Sequence, residues 1–148
     1  MDVIAEFFPA RRLAVVRARL RWPELRTHLI PLLDKVYVAV RAGEIVQTGH
    51  NVFVYSDPSK DEVTVEVGVE VGAPFSPVDD IEYAETPAGK AAFAKHVGPY
   101  AELGRTHNAI VQWCTEHAWQ RAGVWWEVYG DSNDDPSKLE TDVFHALR

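Results

Sequence analysis

The stretch Trp125-Trp126-Glu127-Val128-Tyr129-Gly130 sets one carboxylate among three large aromatic rings. Two kinds of chemistry suit that pattern. Rings around an acid lower the local dielectric and strengthen its attraction for a cation, and each ring face can add about 0.5–2 kcal/mol of cation–π attraction. Desolvation, alternatively, favours the protonated acid and fits it for general acid or base work on a bound molecule. A structural reading instead pairs Glu127 with Arg17 or Lys95, worth about 0–1 kcal/mol at a surface. The residue types alone do not separate the first two uses.

The remaining reactive residues carry less. The chain has six histidines, of which His107 and His117 fall on one predicted helix. Ten residues of helix set them about 80° apart, a poor arrangement for a shared metal. His96 precedes Gly98-Pro99 and reads as ordering that loop. Cys114, the single cysteine, lies on an apolar stripe and reads as a core thiol. One cysteine allows neither an internal disulfide nor a thiolate-rich metal site. The glycine-bearing stretches AGEIVQTG and VEVGVEVG lack the lysine of a phosphate loop. No cofactor and no metal are therefore expected.

The elements that must position Glu127 come from an internal repeat. EFFPARRLAVVRARLRWPEL from Glu6 aligns with AETPAGKAAFAKHVGPYAEL from Ala84 at an offset of 78. NVFVYSD from Asn51 aligns with WWEVYGD from Trp125 at 74, and VTVEVGVEV from Val63 with LETDVFHAL from Leu139 at 76. Three matches in order, at nearly constant spacing, argue for two copies of one unit, residues 1–73 and 79–148, within a single domain. Each unit reads strand, helix, strand, strand. The first has a strand region over residues 3–19, broken near Pro9, then a helix within 22–41 and strands over 52–55 and 62–71. Pro31 either kinks that helix or opens its main part. The second has a strand over 80–96, a helix over 100–117, and strands over 124–129 and 138–147. Gly104 inside the second helix costs about 1 kcal/mol against alanine, which reads either as a close backbone approach or as a tolerated accident. Side by side, the units predict an α+β fold: an eight-stranded antiparallel sheet with a pair of helices on one face.

Strand alternation sorts the central strands into two faces. Val52, Val54, Trp126 and Val128 are all apolar and are assigned to the face beneath the helices. Phe53, Tyr55, Trp125, Glu127 and Tyr129 fall on the other, which this reading leaves uncovered. Exposed rings around a charge are what a ligand cleft displays. Glu127 matches Phe53 under the repeat, and that asymmetry favours function over scaffold. Trp22 and Tyr100 occupy equivalent helix starts, as core staples or as walls at the two ends of a cleft.

Composition bounds the rest. The chain has 148 residues, 47% of them hydrophobic, enough for one packed core. Net charge is -7, which repels nucleic acid unless charge is segregated. Residues 1–50 do carry eight Lys/Arg against five Asp/Glu, with Arg11, Arg12, Arg17, Arg19, Arg21 and Arg26 prominent. Interleaving with Leu13, Val15 and Leu20 reads as one wet strand face rather than a nucleic-acid footprint. No run approaches the length of a membrane span, and the N-terminus lacks the order of a secretory signal. The expected location is cytoplasmic.

WWEVYG, with ETPAGKAAFAKHVGPYAEL before it and LETDVF after it, resembles the GyrI-like small-molecule-binding family, which includes effector-binding domains of multidrug-responsive bacterial transcription activators. The likeness runs from VIAEFFPAR to the end of the chain. It implies a pseudo-twofold pair of units with a ligand cleft between them. The family's central acid falls on Glu127, with Trp125, Tyr129, Phe53, Tyr55, Trp22 and Tyr100 as the aromatic lining. The resemblance implies a hydrophobic or cationic small molecule as partner, for sensing, sequestration or protection. Some stand-alone relatives resemble hydrolases of cyclopropane-bearing DNA-alkylating natural products. There Glu127 would activate water or protonate the leaving group, with Tyr129 or Tyr100 as phenolic donor. Others resemble protein-binding inhibitors or adaptors, which leaves room for a protein partner or a homodimer. A DNA-binding domain of the kind that precedes this unit in transcription factors is not read in the chain, so direct promoter binding is not expected.

Overall fold

A computed structural model describes the whole chain, Met1–Arg148. The first unit runs β1 (Ile4–Phe8), β2 (Arg12–Arg21), a 3-10 turn (Trp22–Glu24), α1 (Leu25–Arg41), β3 (Gln47–Ser56) and β4 (Glu62–Val71). The second repeats it: β5 (Ile81–Glu85), β6 (Gly89–Val97), a 3-10 turn (Tyr100–Glu102), α2 (Leu103–Glu116), β7 (Arg121–Tyr129) and β8 (Glu140–Leu147). All pairings are antiparallel, in the order β1-β6-β8-β7-β3-β4-β2-β5. The expected eight-stranded sheet is therefore present, and the breaks at Pro9 and Pro87 fall between β1 and β2 and between β5 and β6. At the crossing the backbone N–H of Arg11 donates to Thr86 Oγ1 at 2.7 Å, and that of Thr86 donates to the Arg11 carbonyl at 3.1 Å. Each unit thus lends its first strand to the other, β1 to β6 and β5 to β2. Pro31 lies within α1 rather than opening it.

The alternation of β4 puts Val63, Val65, Val67, Val69 and Val71 in one cluster with Leu33 and Val36 of α1. Burying such a side chain contributes about 1.5–3 kcal/mol. Gly68, on the opposite side of β4, is required sterically: a Cβ there would run into the Ala14 carbonyl of β2. Over the other half, Leu103, Ile110 and Cys114 of α2 pack on Ala92, Ala94 and Val143. The thiol of Cys114 is in the core, as expected, and burial raises its pKa. A Cβ at Gly104 would meet nothing within 4 Å, so no close approach accounts for that glycine.

The assignment of the two sheet faces has to be reversed. Phe53 and Tyr55 belong to the α1 cluster, with Trp125 and Tyr129 packed against it. Val52, Val54, Trp126 and Val128 lie on the helix-free side, in one cluster with Leu13, Val15, Ala91, Phe144 and Ala146. That side is buried because the sheet curls onto itself, closed by the continuous ribbon in which residues 4–16 pair with 81–93. An apolar strand face thus needed no helix to cover it. Three of the six arginines are paired with carboxylates: Arg17 Nη2 lies 2.8 Å from Glu66, Arg11 3.3 Å from Glu70 and Arg19 3.4 Å from Glu62. Their charge is neutralised within the sheet.

Candidate ligand cleft and its buried carboxylate

The helices α1 and α2 flank the sheet, over β2 and β4 and over β6 and β8, and the central strands β3 and β7 run between them. Phe53 stands opposite Glu127 in the β3–β7 register, at the centre of the duplication. Period-two alternation then aims Tyr55, Trp125, Glu127 and Tyr129 into the space between the helices.

Glu127 is only 5% exposed. Its Oε1 accepts from the Tyr129 hydroxyl at 2.6 Å and from the Tyr55 hydroxyl at 3.2 Å. Its Oε2 lies 2.7 Å from His107 Nε2, and His107 Nδ1 lies 2.8 Å from His145 Nε2. The expected alternative partners are occupied elsewhere, Arg17 on Glu66 and Lys95 on Asp142 at 2.9 Å. Burial first, and then the charge of Glu127, push the Tyr129 and Tyr55 phenols well above their ordinary range. Both stay protonated at neutral pH and hold their protons toward the carboxylate. His145 is pulled down to about 3, by burial first and then by His107 and Arg121.

The seven residues expected at the site form one continuous cluster. Tyr55 stacks on Trp125 with ring centres 5.7 Å apart, and Trp125 stacks on Trp22 at 6.4 Å and on His145 at 6.1 Å. Phe53 and Tyr100 meet Tyr129 edge to face, at 4.9 and 5.3 Å. These contacts divide the space unequally. At the Trp125 end the rings fill it, and the Trp22 indole N–H is tied to the Ser59 carbonyl at 3.0 Å. At the Tyr129 end a cleft of about 1040 Å³ opens between α1 and the ends of β3 and β7. Leu29, Leu33 and Tyr37 of α1 form one wall, Phe53 and Tyr129 the floor, and Tyr100 stands opposite. Of the seven, Phe53, Tyr100 and Tyr129 line this cleft; Glu127, Tyr55, Trp125 and Trp22 do not. Glu127 sits behind Tyr129, joined to it by that hydroxyl.

His107 and His145 are site residues that the sequence reading misses, yet the repeat carries a signal. At the offsets above, His107 matches Leu29 and His145 matches Val69. Together with Glu127 against Phe53, these are three polar-for-apolar exchanges at equivalent places. His96 takes the loop-ordering role expected of it, through Thr106 Oγ1 at 2.7 Å and the Pro99 carbonyl at 2.9 Å. His117 bonds the Trp113 carbonyl within its own helix. No group of three or more His, Cys, Asp or Glu is placed to hold a metal ion, and no helix is long and apolar enough to cross a membrane.

Comparison with known proteins agrees with this geometry. The family model of the GyrI-like small molecule binding domain matches residues 1–148. No curated protein matches the sequence. Among solved structures, the C-terminal domain of EcmrR superposes with a TM-score of 0.79 at 17% identity, covering 99% of this chain and 97% of that domain. In the complex of EcmrR with DNA the match spans 57% of the EcmrR chain. SAV2435 bound to tetraphenylphosphonium superposes with a TM-score of 0.72 at 9% identity, over 100% of this chain and 94% of that one. A hydrolase from Listeria innocua gives 0.61 at 12% identity, over 99% and 92%. At these identities the likeness establishes the fold.

Proposed function

Because this chain belongs to the GyrI-like small-molecule-binding family, we propose that it binds an amphipathic small molecule, planar aromatic or cationic, in the cleft over Tyr129. One observation carries the reading: a drug-sized hollow of about 1040 Å³ has as its floor a tyrosine ring whose hydroxyl donates to a buried carboxylate at 2.6 Å. Pockets for such ligands are typically about 300–1,000 Å³, mostly apolar, with a few placed polar groups. Hydrogen bonding to Glu127 polarises the phenol and leaves electron density on its oxygen and ring. A cation against that ring gains from the acid without contacting it. SAV2435 holds a lipophilic cation on the same fold, which supports this class of ligand here.

The arrangement favours binding over hydrolysis. Glu127 already faces three hydrogen-bonding partners, and the Tyr129 proton is committed to it. Sensing, sequestration or protection are the roles that follow. Direct contact with DNA is disfavoured by the pairing of Arg11, Arg17 and Arg19 with carboxylates. Exposed Ile30, Val46 and Tyr100 at the cleft mouth leave a protein partner or a second copy as the competing occupant.

Titration with rhodamine 6G and with tetraphenylphosphonium, followed by fluorescence anisotropy and calorimetry, tests the proposal. Saturable binding at one site is expected, weakened about tenfold for the cations in Glu127→Gln. Absence of saturable binding, or binding indifferent to Glu127→Gln and Tyr129→Phe alike, would defeat it. Turnover of a cyclopropane-bearing alkylator that disappears in Glu127→Gln would replace binding by hydrolysis.

A further inference from the structure

The cleft carries a second polar group, contributed by β3 and α1. The β3–β4 register slips between Gln47 and Asn51. Both side chains line the cleft there, with Tyr37 of α1 facing them. Gln47 Nε2 donates to the Gly49 carbonyl at 2.7 Å and to Tyr37 Oη at 3.2 Å. The Tyr37 hydroxyl donates in turn to Asn51 Oδ1 at 2.5 Å.

The directions in this chain of bonds are fixed by its first link. A backbone carbonyl can only accept, so the Gln47 atom facing Gly49 is the amide nitrogen. That nitrogen donates to Tyr37 Oη as well, which leaves the phenol proton for Asn51. Asn51 must then present its oxygen to Tyr37. Two groups remain without a protein partner: the Asn51 NH2, a double donor, and Gln47 Oε1, an acceptor. Both belong to side chains locked by the bonds just described, so they are positioned before any ligand arrives.

Resting on the small-molecule reading above, we propose that Asn51, Gln47 and Tyr37 form a polar pole that recognises a neutral hydrogen-bonding group, an amide-like carbonyl with an adjacent N–H, on the ligand's aromatic body. The body lies on Leu29 and Tyr129. The carbonyl accepts from Asn51 Nδ2, and the N–H donates to Gln47 Oε1. Specificity then comes from a fixed donor–acceptor pair together with the polarised ring.

The test compares 2-naphthamide with 2-isopropenylnaphthalene, a hydrocarbon of similar shape, by calorimetry on the full chain, with rhodamine 6G as a reporter of the cleft. Asn51→Leu is expected to weaken 2-naphthamide about tenfold while sparing or improving the hydrocarbon, since a site built to hydrogen-bond leaves unmet groups when the partner is lost. Asn51→Asp keeps an acceptor for Tyr37 but replaces the NH2 by a second oxygen. It should weaken 2-naphthamide at least as far and strengthen the cation of 2-(aminomethyl)naphthalene. Circular dichroism checks that both variants are folded. An unchanged ratio of the two naphthalenes in both variants, with rhodamine still bound, would overturn the polar pole alone. Failure of the native protein to bind rhodamine or either naphthalene would overturn the cleft reading and this proposal with it.

Discussion

At three equivalent places the first half of the molecule carries carbon where the second carries a proton-handling group: Leu29 against His107, Phe53 against Glu127, Val69 against His145. A fourth exchange runs the other way in polarity, with the small amide Asn51 where the second half has Trp125. The helix-to-sheet scaffold is unaffected, because Val36 and Cys114, Leu25 and Leu103, Val67 and Val143 pack alike in the two units. The exchanges collect instead around the axis where Phe53 faces Glu127. The second half uses its side of the axis to hold a carboxylate through two histidines. The first uses its side to leave a hollow. Trp125 in its stack fills the end that small Asn51 leaves open, so one duplicated floor yields one plugged end and one open end.

Making the second half resemble the first should produce the largest effects. Glu127→Leu leaves two phenol hydroxyls and an imidazole nitrogen without their acceptor, and each buried polar group so left costs about 1–3 kcal/mol. Importing all three residues of the first half, Glu127→Phe with His107→Leu and His145→Val, removes the histidine side of the network together with the acid. Replacing such a network by packed carbon is often near neutral, so the triple variant should be more stable than Glu127→Leu in urea unfolding. A triple variant as unstable as the single one would mean that the three groups do not act as a unit.

The histidine side alone predicts a pH dependence. His145 is pulled down to about 3 in the folded protein, against an ordinary value of about 6.5 in the unfolded chain. Above the unfolded value both states are neutral and the full stability is present. As pH falls below it, the unfolded chain takes up a proton that the folded one refuses, so stability drops until the folded value is reached. The loss should amount to about 2 kcal/mol by about pH 5. His145→Val, the residue of the first half, should flatten that slope in urea titrations across the acid range. A slope equally steep in His145→Val would assign the acid sensitivity elsewhere.

The converse exchange, Asn51→Trp, gives the first half the plug of the second. The side chain enters open cleft rather than core, so stability should change by no more than about 1 kcal/mol. Rhodamine affinity should fall at least about tenfold, read by anisotropy. Undiminished binding would place the ligand outside the cleft over Tyr129.

Much of this is legible in the sequence, and the failures have particular causes. Constant offsets between the copies disclose the duplication and the order of elements within each unit, while of the two strand breaks only the one near Pro9 is read. Alternation separates Val52 and Val54 from Phe53 and Tyr55 correctly, but cannot say which face the helices cover. Both faces are apolar, because the curled sheet buries its helix-free side by itself. Glu127 stands out by its asymmetry with Phe53. Its partner His107 and the His145 behind it do not, because they lie 20 and 18 residues away on other elements, and only the three-dimensional arrangement links them in a chain to the carboxylate. The polar pole at Gln47 and Asn51 depends on an irregularity in the β3–β4 register, which strict alternation does not foresee.

The smallest effect concerns a position of the second half that lies outside the cleft. Gly104 in α2 stands where α1 has Arg26. A side chain added at Gly104 would meet nothing within 4 Å, so neither packing nor close approach requires glycine. Its backbone freedom weakens the helix by about 1 kcal/mol relative to alanine, and Gly104→Ala also narrows the unfolded ensemble. Stability should therefore rise by about 0.5–1 kcal/mol in urea unfolding, while rhodamine and naphthamide affinities stay unchanged. Arg26, its counterpart, lines the cleft, so the two positions have diverged in role as well as in residue. A ligand affinity that shifts with Gly104→Ala would show that α2 moves when the cleft is filled, and would join the two halves into one responsive unit rather than a rigid floor with two differently finished ends.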